Sequence, residues 1–173
     1  MNIRVERLTA RALQAYRALM LEAYASVPDA FTSTAQERAL APEAWWIRRL
    51  DDPSGLSLVL GAWQGEALVG TVALEFSDRS KLRHKGHVIG LYVQPVARGQ
   101  GVAAALMAQA LECARQRPGL LVLTLTVTEG NRAAESLYRS FGFDEFGLEP
   151  MAIATPEGFR AKRHLWCRLT PGG

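Results

Sequence analysis

Cysteine is almost absent from this chain: only Cys113 and Cys167 occur among 173 residues, with no CxxC pair. Neither a disulfide framework nor a zinc site is expected from so few. No apolar run reaches the roughly 18 residues that a membrane-crossing helix needs. The opening stretch MNIRVERLTARAL also lacks the uninterrupted apolar core of a secretion signal. These absences predict a cytoplasmic protein without a membrane partner. Charge of one sign is scarce too: the formal net charge is +3, too little by itself to argue for nucleic acid or a membrane surface. There is no internal repeat and no linker. What is present is 49% hydrophobic and 21% charged residues, the composition of a soluble globular protein. We expect one domain over residues 1–170, with Pro171-Gly172-Gly173 as a frayed end.

Read in order, Ile3 to Leu8 alternates apolar and charged residues, a short half-buried strand. Thr9 is placed to cap a helix whose buried face carries Leu13, Tyr16, Met20 and Ala23. Ser26 to Thr34 reads as loop, and a second helix runs from near Pro42 to about Leu50. Two β-rich runs, Ser57 to Trp63 and Ala67 to Phe76, flank a short Gly turn and predict a hairpin. A basic loop, Asp78 to Gly86, leads to a third strand, His87 to Val93. A helix from about Val102 to Gln116 follows, stopped by Pro118-Gly119. Leu120 to Val127 has no polar residue except threonine, as expected of a strand covered on both faces. A last helix, Arg132 to Phe141, precedes a closing hairpin around Phe146–Ala154 and Ala161–Leu169. The fold class is α/β (α+β): one mixed, mostly antiparallel sheet of about seven strands with about four helices on its faces.

The turn between the third strand and its helix carries the first chemical signal. Gly99 and Gly101 let a ligand approach the backbone, and the helix that starts at Val102 aims free N–H groups and the positive end of its dipole at that point. The arrangement predicts an anion site, most economically for cofactor phosphates. A Walker A loop is excluded, because no lysine or Ser/Thr follows Gly101 in the required way. Gly99-Gln-Gly101-Val-Ala-Ala104 formally matches G-x-G-x-x-A of a dinucleotide fold. Gln94 to Arg98, however, separate the strand from the first glycine, and too little chain remains for further βαβ units. A plain tight turn without a ligand is the remaining reading.

Two stretches carry a resemblance. LYVQPVARGQGVAAALM contains Arg98-Gly99-Gln100-Gly101-Val102-Ala103, which matches [RQ]-x-x-G-x-[GA], behind Leu91-Tyr92-Val93-Gln94-Pro95. EGNRAAESLYRSFGF matches N-x-x-A-x-x-x-Y-x-x-x-G-F at Asn131, Ala134, Tyr138, Gly142 and Phe143. At this separation the pair resembles the GNAT N-acetyltransferase superfamily, and the order of elements agrees from about Ile3 to Leu169.

The resemblance implies transfer of an acetyl group from acetyl-CoA to a primary amine, by direct attack in a ternary complex and without a metal. It implies that main-chain N–H groups from about Arg98 to Ala103 bind the CoA pyrophosphate. Leu91 and Val93 would bond the pantetheine arm beside a splayed strand. An N–H near Tyr92 or Val93 would polarise the thioester carbonyl, Asn131 would reach the pantetheine, and Tyr138 would protonate the leaving thiolate. The Arg98 side chain either adds a phosphate contact or is solvated. Asn131 is also placed to cap its helix, by its main chain, and Tyr138 to pack with Leu137 and Phe141. A general base is not evident: Glu75, His87, water or none remain open. Acceptor candidates are Tyr24, Phe31, Trp45, Trp46 and Phe76, most of them equally suited to the core. Arg79, Lys81, Arg83, His84 and Lys85 are either a solvated loop or a contact to an acidic substrate or the CoA 3′-phosphate; without interleaved aromatics they do not suit nucleic acid. The acceptor is expected to be a small-molecule or peptide amine, and homodimerisation is left open. Two alternatives stand beside the enzyme: a non-catalytic acyl-CoA sensor of the same fold, and transfer of a longer acyl group.

Overall fold

The computed structural model describes residues 2–170; Met1 and the Pro171–Gly173 end lie outside the described residues. The elements follow as β1 (Ile3–Arg7), α1 (Leu13–Ser26), α2 (Ala35–Ala39), α3 (Glu43–Leu50), β2 (Ser57–Gln64), β3 (Ala67–Phe76), β4 (Lys85–Val93), α4 (Val102–Gln116), β5 (Val122–Thr128), α5 (Arg132–Ser140), β6 (Asp144–Thr155) and β7 (Gly158–Arg168). The seven strands form one sheet in the order β1-β2-β3-β4-β5-β7-β6. Only β4 and β5 run parallel. The crossover between them is α4, as a parallel pair requires. The mixed, mostly antiparallel sheet is the expected one.

Two local details differ from expectation, each for a capping reason. The Thr9 side chain makes no capping bond. A 3-10 turn, Ala10–Ala12, precedes α1, and the free N–H of Ala10 is met by Asp51 Oδ2 at 2.7 Å from the end of α3. The chain also has a fifth helix, α2, rather than about four. Thr34 Oγ1 accepts from the Glu37 N–H at 3.1 Å, and Glu37 Oε2 accepts from the Thr34 N–H at 2.8 Å. This reciprocal pair satisfies two end groups and stabilises a helix only five residues long.

The sheet alternation splits the core in two. Val59, Ala73, Ile89 and Tyr92 pack with α1 and α3 around Tyr16, Met20 and Trp46. Leu60, Val72, Leu74 and Val88 face the other way, against Leu106, Met107 and Ala110 of α4, where Tyr138 and Phe143 also pack. β5 is not covered on both faces. Leu123, Leu125 and Val127 are buried towards α4, but Val122, Thr124 and Thr126 are only half-buried, because the α1–α3 layer packs on β2 to β4.

The feature that positions the site is a fault in the ladder. Tyr92 pairs with Thr71 and Ile89 with Ala73, so Gly90 and Leu91 together oppose Val72. This is a β-bulge, which bends the strand that carries it. Gly90 takes φ +66°, a conformation that costs an L-residue about 1–2 kcal/mol. β4 pairs with β5 only at Lys85–Val122, Gly86–Leu123 and His87–Thr124. Beyond His87 the two strands diverge and leave a slot through the sheet. Across its open end runs the 3-10 turn Pro28–Ala30, tied to β5 where Thr128 Oγ1 donates to the Asp29 carbonyl at 2.6 Å.

A Cβ on Gly90 would meet no atom within 4 Å, so substitution there tests backbone conformation alone. Gly90→Ala should lower Tm by roughly 2–8 °C, the range for a loss of about 1–2 kcal/mol in a chain of this size, as read by thermal melting. An unchanged Tm would mean that the bulge relaxes without cost.

Candidate active site

The slot leaves backbone groups of β4 without a ladder partner. The Gln94 N–H bonds the Val69 carbonyl at 2.8 Å, towards β3. By antiparallel alternation Tyr92 shares that side, whereas Leu91 and Val93 direct their main-chain groups towards the slot. Of the two donors expected for a thioester carbonyl, Val93 N–H is therefore the one on the slot side. Side chains follow the same alternation: Tyr92 packs against α1, and Leu91 and Val93 against α4.

The turn after β4 adds a second set of free donors. The Arg98 N–H is used internally, bonding Pro95 O at 3.2 Å, and the Ala105 N–H bonds Gly101 O at 2.9 Å. Among the described residues, no protein group accepts from the N–H groups of Gly99 to Ala104 between them. Gly101 caps α4 with φ +79°, which turns these donors outward. They border a cavity of about 230 Å³ between the start of α4 and Leu137 of α5. The anion site is thus present as a geometry, with its donors six residues deep.

The Arg98 side chain is exposed, as one of its two expected roles has it, and it also folds back on the strand. Its Nε donates to Val93 O at 3.0 Å, and its guanidinium carbon lies 5.8 Å from the centroid of the Tyr92 ring. Gln100, exposed as well, donates to Val96 O at 3.0 Å and accepts from Gln64 at 3.2 Å. Both side chains bond back onto the turn or its neighbours, beside its free main-chain donors.

Asn131 and Tyr138 belong to α5, the helix that follows β5. Asn131 caps the helix with both its main chain and its side chain: its carbonyl accepts from Glu135 N–H at 3.0 Å and Oδ1 from Ala134 N–H at 3.3 Å. Its Nδ2 is left available. Tyr138 is buried, with its ring edge-on to Phe143 at 6.1 Å. Burial pushes its hydroxyl pKa up to about 12. The phenol therefore stays protonated throughout the neutral range. α5 is held in place by Arg163 of β7, which reaches Glu135 of α5 at 3.2 Å, Glu129 at 3.1 Å and Glu145 of β6 at 2.9 Å.

The two base candidates occupy the vertex of the slot, where β4 and β5 are still paired. His87 faces Glu75 across the β3–β4 ladder, and its Nδ1 lies 2.9 Å from Thr124 Oγ1. Burial lowers the His87 pKa, only partly opposed by the Glu75 charge, so the ring is neutral near pH 7. Glu75 sits 3.9 Å from Arg49.

Of the acceptor candidates, Tyr24 and Phe31 line a cavity of about 680 Å³ between the end of α1 and the β6–β7 hairpin. The others do not. Trp46 is fully buried, Trp45 lies between the Arg38 and Arg49 guanidinium groups at 4.2 and 4.8 Å, and Phe76 is covered by Arg117 at 3.9 Å. The basic loop precedes β4, whose nine residues separate it from the Gly99 turn by roughly 30 Å. Its Arg83 is turned back onto the Asp78 carbonyl. A contact to the phosphates at Gly99 is out of its reach. Sequence reasoning missed Glu22, which accepts from Tyr92 Oη at 2.8 Å and Gln94 Nε2 at 2.7 Å. Lying some 70 residues from its partners, it carries no local signal.

Among the described residues there is no group of three His, Cys, Asp or Glu side chains that would hold a metal, and no helix is long and apolar enough to cross a membrane.

This geometry has counterparts in known proteins. The N-alpha-acetyltransferase RimI of Mycobacterium tuberculosis is 34% identical over 108 residues, 62% of this chain and 63% of that protein. The mycothiol acetyltransferase of Geodermatophilus obscurus is 31% identical over 138 residues, 79% of this chain and 42% of that protein. The chain thus spans less than two thirds of the length of either relative. The crystal structure of a ribosomal-protein-alanine N-acetyltransferase from Brucella melitensis superimposes with a TM-score of 0.79 at 25% identity, covering 96% of this chain and 99% of that one. The sequence model of the acetyltransferase (GNAT) family matches residues 14–143, which contain the bulged β4, the glycine turn and the α5 tyrosine. By that match, which covers most of its length, the chain belongs to the acetyltransferase (GNAT) family.

Proposed function

We propose that this protein transfers an acetyl group from acetyl-CoA to a primary amine, by direct attack of the amine in a ternary complex. The observation that carries the reading is the pair of free main-chain donor sets, one on the splayed end of β4 and one from Gly99 to the first turn of α4, separated by the internally bonded Gln94–Arg98 turn. It suits a ligand with an amide-bearing arm and a pyrophosphate at one end. The Gly99–Ala104 N–H groups bind the pyrophosphate with help from the α4 dipole, and Asn131 Nδ2 reaches the arm. Leu91 and Val93 take the pantetheine amides as an added strand would. Val93 N–H bonds the thioester oxygen and stabilises the negative charge that develops there as the amine attacks.

Tyr138 is the proton donor to sulfur. With its pKa up to about 12, the phenol holds its proton at every pH at which the acceptor is handled, and no internal acceptor competes for it. As the carbon–sulfur bond breaks, the proton passes to sulfur; the phenoxide recovers one from the nitrogen that has become an amide. His87 and Glu75 are at the vertex and serve the sheet, so the amine loses its first proton to water or arrives neutral. The acceptor, a small molecule or peptide amine, enters from the Tyr24–Phe31 side.

Acetyl-CoA supplied with a panel of small amines, polyamines, amino acids and peptide N-termini should release free thiol with at least one of them. Binding of acetyl-CoA with no release across the panel would favour a sensor domain, and turnover confined to longer acyl-CoAs would change the donor. With the acceptor in hand, Tyr138→Phe should cut kcat about 10²–10⁴-fold, the usual worth of a positioned acid, while leaving acetyl-CoA affinity within a few-fold. The wild-type kcat should show no alkaline fall below about pH 10, since a phenol whose pKa is raised by burial loses its proton later than a free one. A fall at lower pH that disappears in Tyr138→Phe would contradict the raised pKa, and a Tyr138→Phe variant with unchanged turnover would overturn the assignment.

A further inference from the structure

A strand that leaves its neighbour needs something to hold it away. Past His87, β4 pairs no further with β5, and after its bulge at Gly90 it is held on the β3 side alone, at Thr71–Tyr92, Gly70–Val93 and the Gln94 N–H to Val69 O bond. After the bulge, Tyr92 and Gln94 both point to the α1 face and both donate to one carboxylate. Tyr92 Oη reaches Glu22 Oε1 at 2.8 Å, and Gln94 Nε2 reaches Glu22 Oε2 at 2.7 Å. Each oxygen of Glu22 is used once, by residues two apart on the same side of the strand. One turn further along α1, Ser26 Oγ lies 3.1 Å from the same tyrosine hydroxyl. On the far side of the Tyr92 ring sits Arg98, 5.8 Å from its centroid and bonded to the Val93 carbonyl. Glu22 is thereby linked through Tyr92 to the turn that presents the Gly99–Ala104 donors.

We propose that Glu22 is a positioning residue that pins the splayed end of β4 to α1, fixing the separation of the slot and its register with the anion turn before coenzyme A arrives. The proposal rests on the acetyl-CoA reading of the slot. Without the pin, the strand end, held on its β3 side alone, shifts among arrangements that cannot take the pantetheine arm. Apparent affinity then falls by the fraction of molecules left competent. Charge-assisted hydrogen bonds are the strong ones, so their loss is visible at this scale.

Coenzyme A binding by titration calorimetry tests this without knowledge of the acceptor. Glu22→Gln should weaken binding about tenfold, the scale of one charge-assisted bond. Tyr92→Phe should also weaken it, and the double variant should bind no worse than the poorer single one, because both changes break the same tie. Leu13→Ala, which loosens α1 away from the slot, should lower Tm and leave affinity unchanged. If Glu22→Gln does not fold, Tyr92→Phe and Gln94→Leu, each removing one donor, carry the comparison. A wild-type protein that does not bind coenzyme A would fell the functional reading. A wild type that binds, with a Glu22→Gln variant that binds equally or a Leu13→Ala variant that loses as much, would fell the pin.

Discussion

Buried main-chain groups need partners, and in a sheet the neighbouring strand supplies them. In this protein β4 gives up that supply on one side after only three residue pairs with β5. Everything at the site follows from that break. The bulge at Gly90 bends the strand away, α1 catches its far end through Glu22, and the Pro28–Ala30 turn bridges the opening to Thr128. The helix that must cross from β4 to β5 then begins where the strand ends. The free groups of the strand and those of the helix N-terminus form two sets on either side of the bonded Gln94–Arg98 turn. Such a pair suits a single extended ligand.

In the proposed reaction, that arrangement separates the donor and acceptor halves. On the α4–α5 side stand the free main-chain donors of the glycine turn, with Arg98 and Gln100 bonded back beside them. On the α1 side the large cavity is walled by Tyr24, Phe31 and the β6–β7 hairpin, elements that share nothing with the glycine turn. One side can therefore vary in sequence while the other keeps its geometry. Such a division suits a family whose members carry names as different as mycothiol acetyltransferase and ribosomal-protein-alanine N-acetyltransferase.

How much of this was legible in the sequence depended on range. Period-two runs gave the β2–β3 hairpin, and the glycines at 99 and 101 with a helix behind them gave the anion turn, because those signals lie within a few residues. The α2 helix was legible and overlooked: Thr34-Ala-Gln-Glu37 is a capping box in plain form. The Asp51 cap on Ala10, the bond of Arg98 back to Val93 and the half-exposed face of β5 were not legible. Each depends on which elements meet in space. Leu120 to Val127 misled because threonine suits both a covered strand and a half-exposed one. Glu22 gave no signal at all, since its partners lie on another element.

The most direct test of the two donor sets is amide hydrogen exchange with and without coenzyme A. Binding should slow exchange at Leu91, Val93 and Gly99 to Ala104, and leave the basic loop from Asp78 to Gly86 unchanged. Protection centred on that loop, or bound coenzyme A with no protection along β4 and the α4 start, would contradict the account.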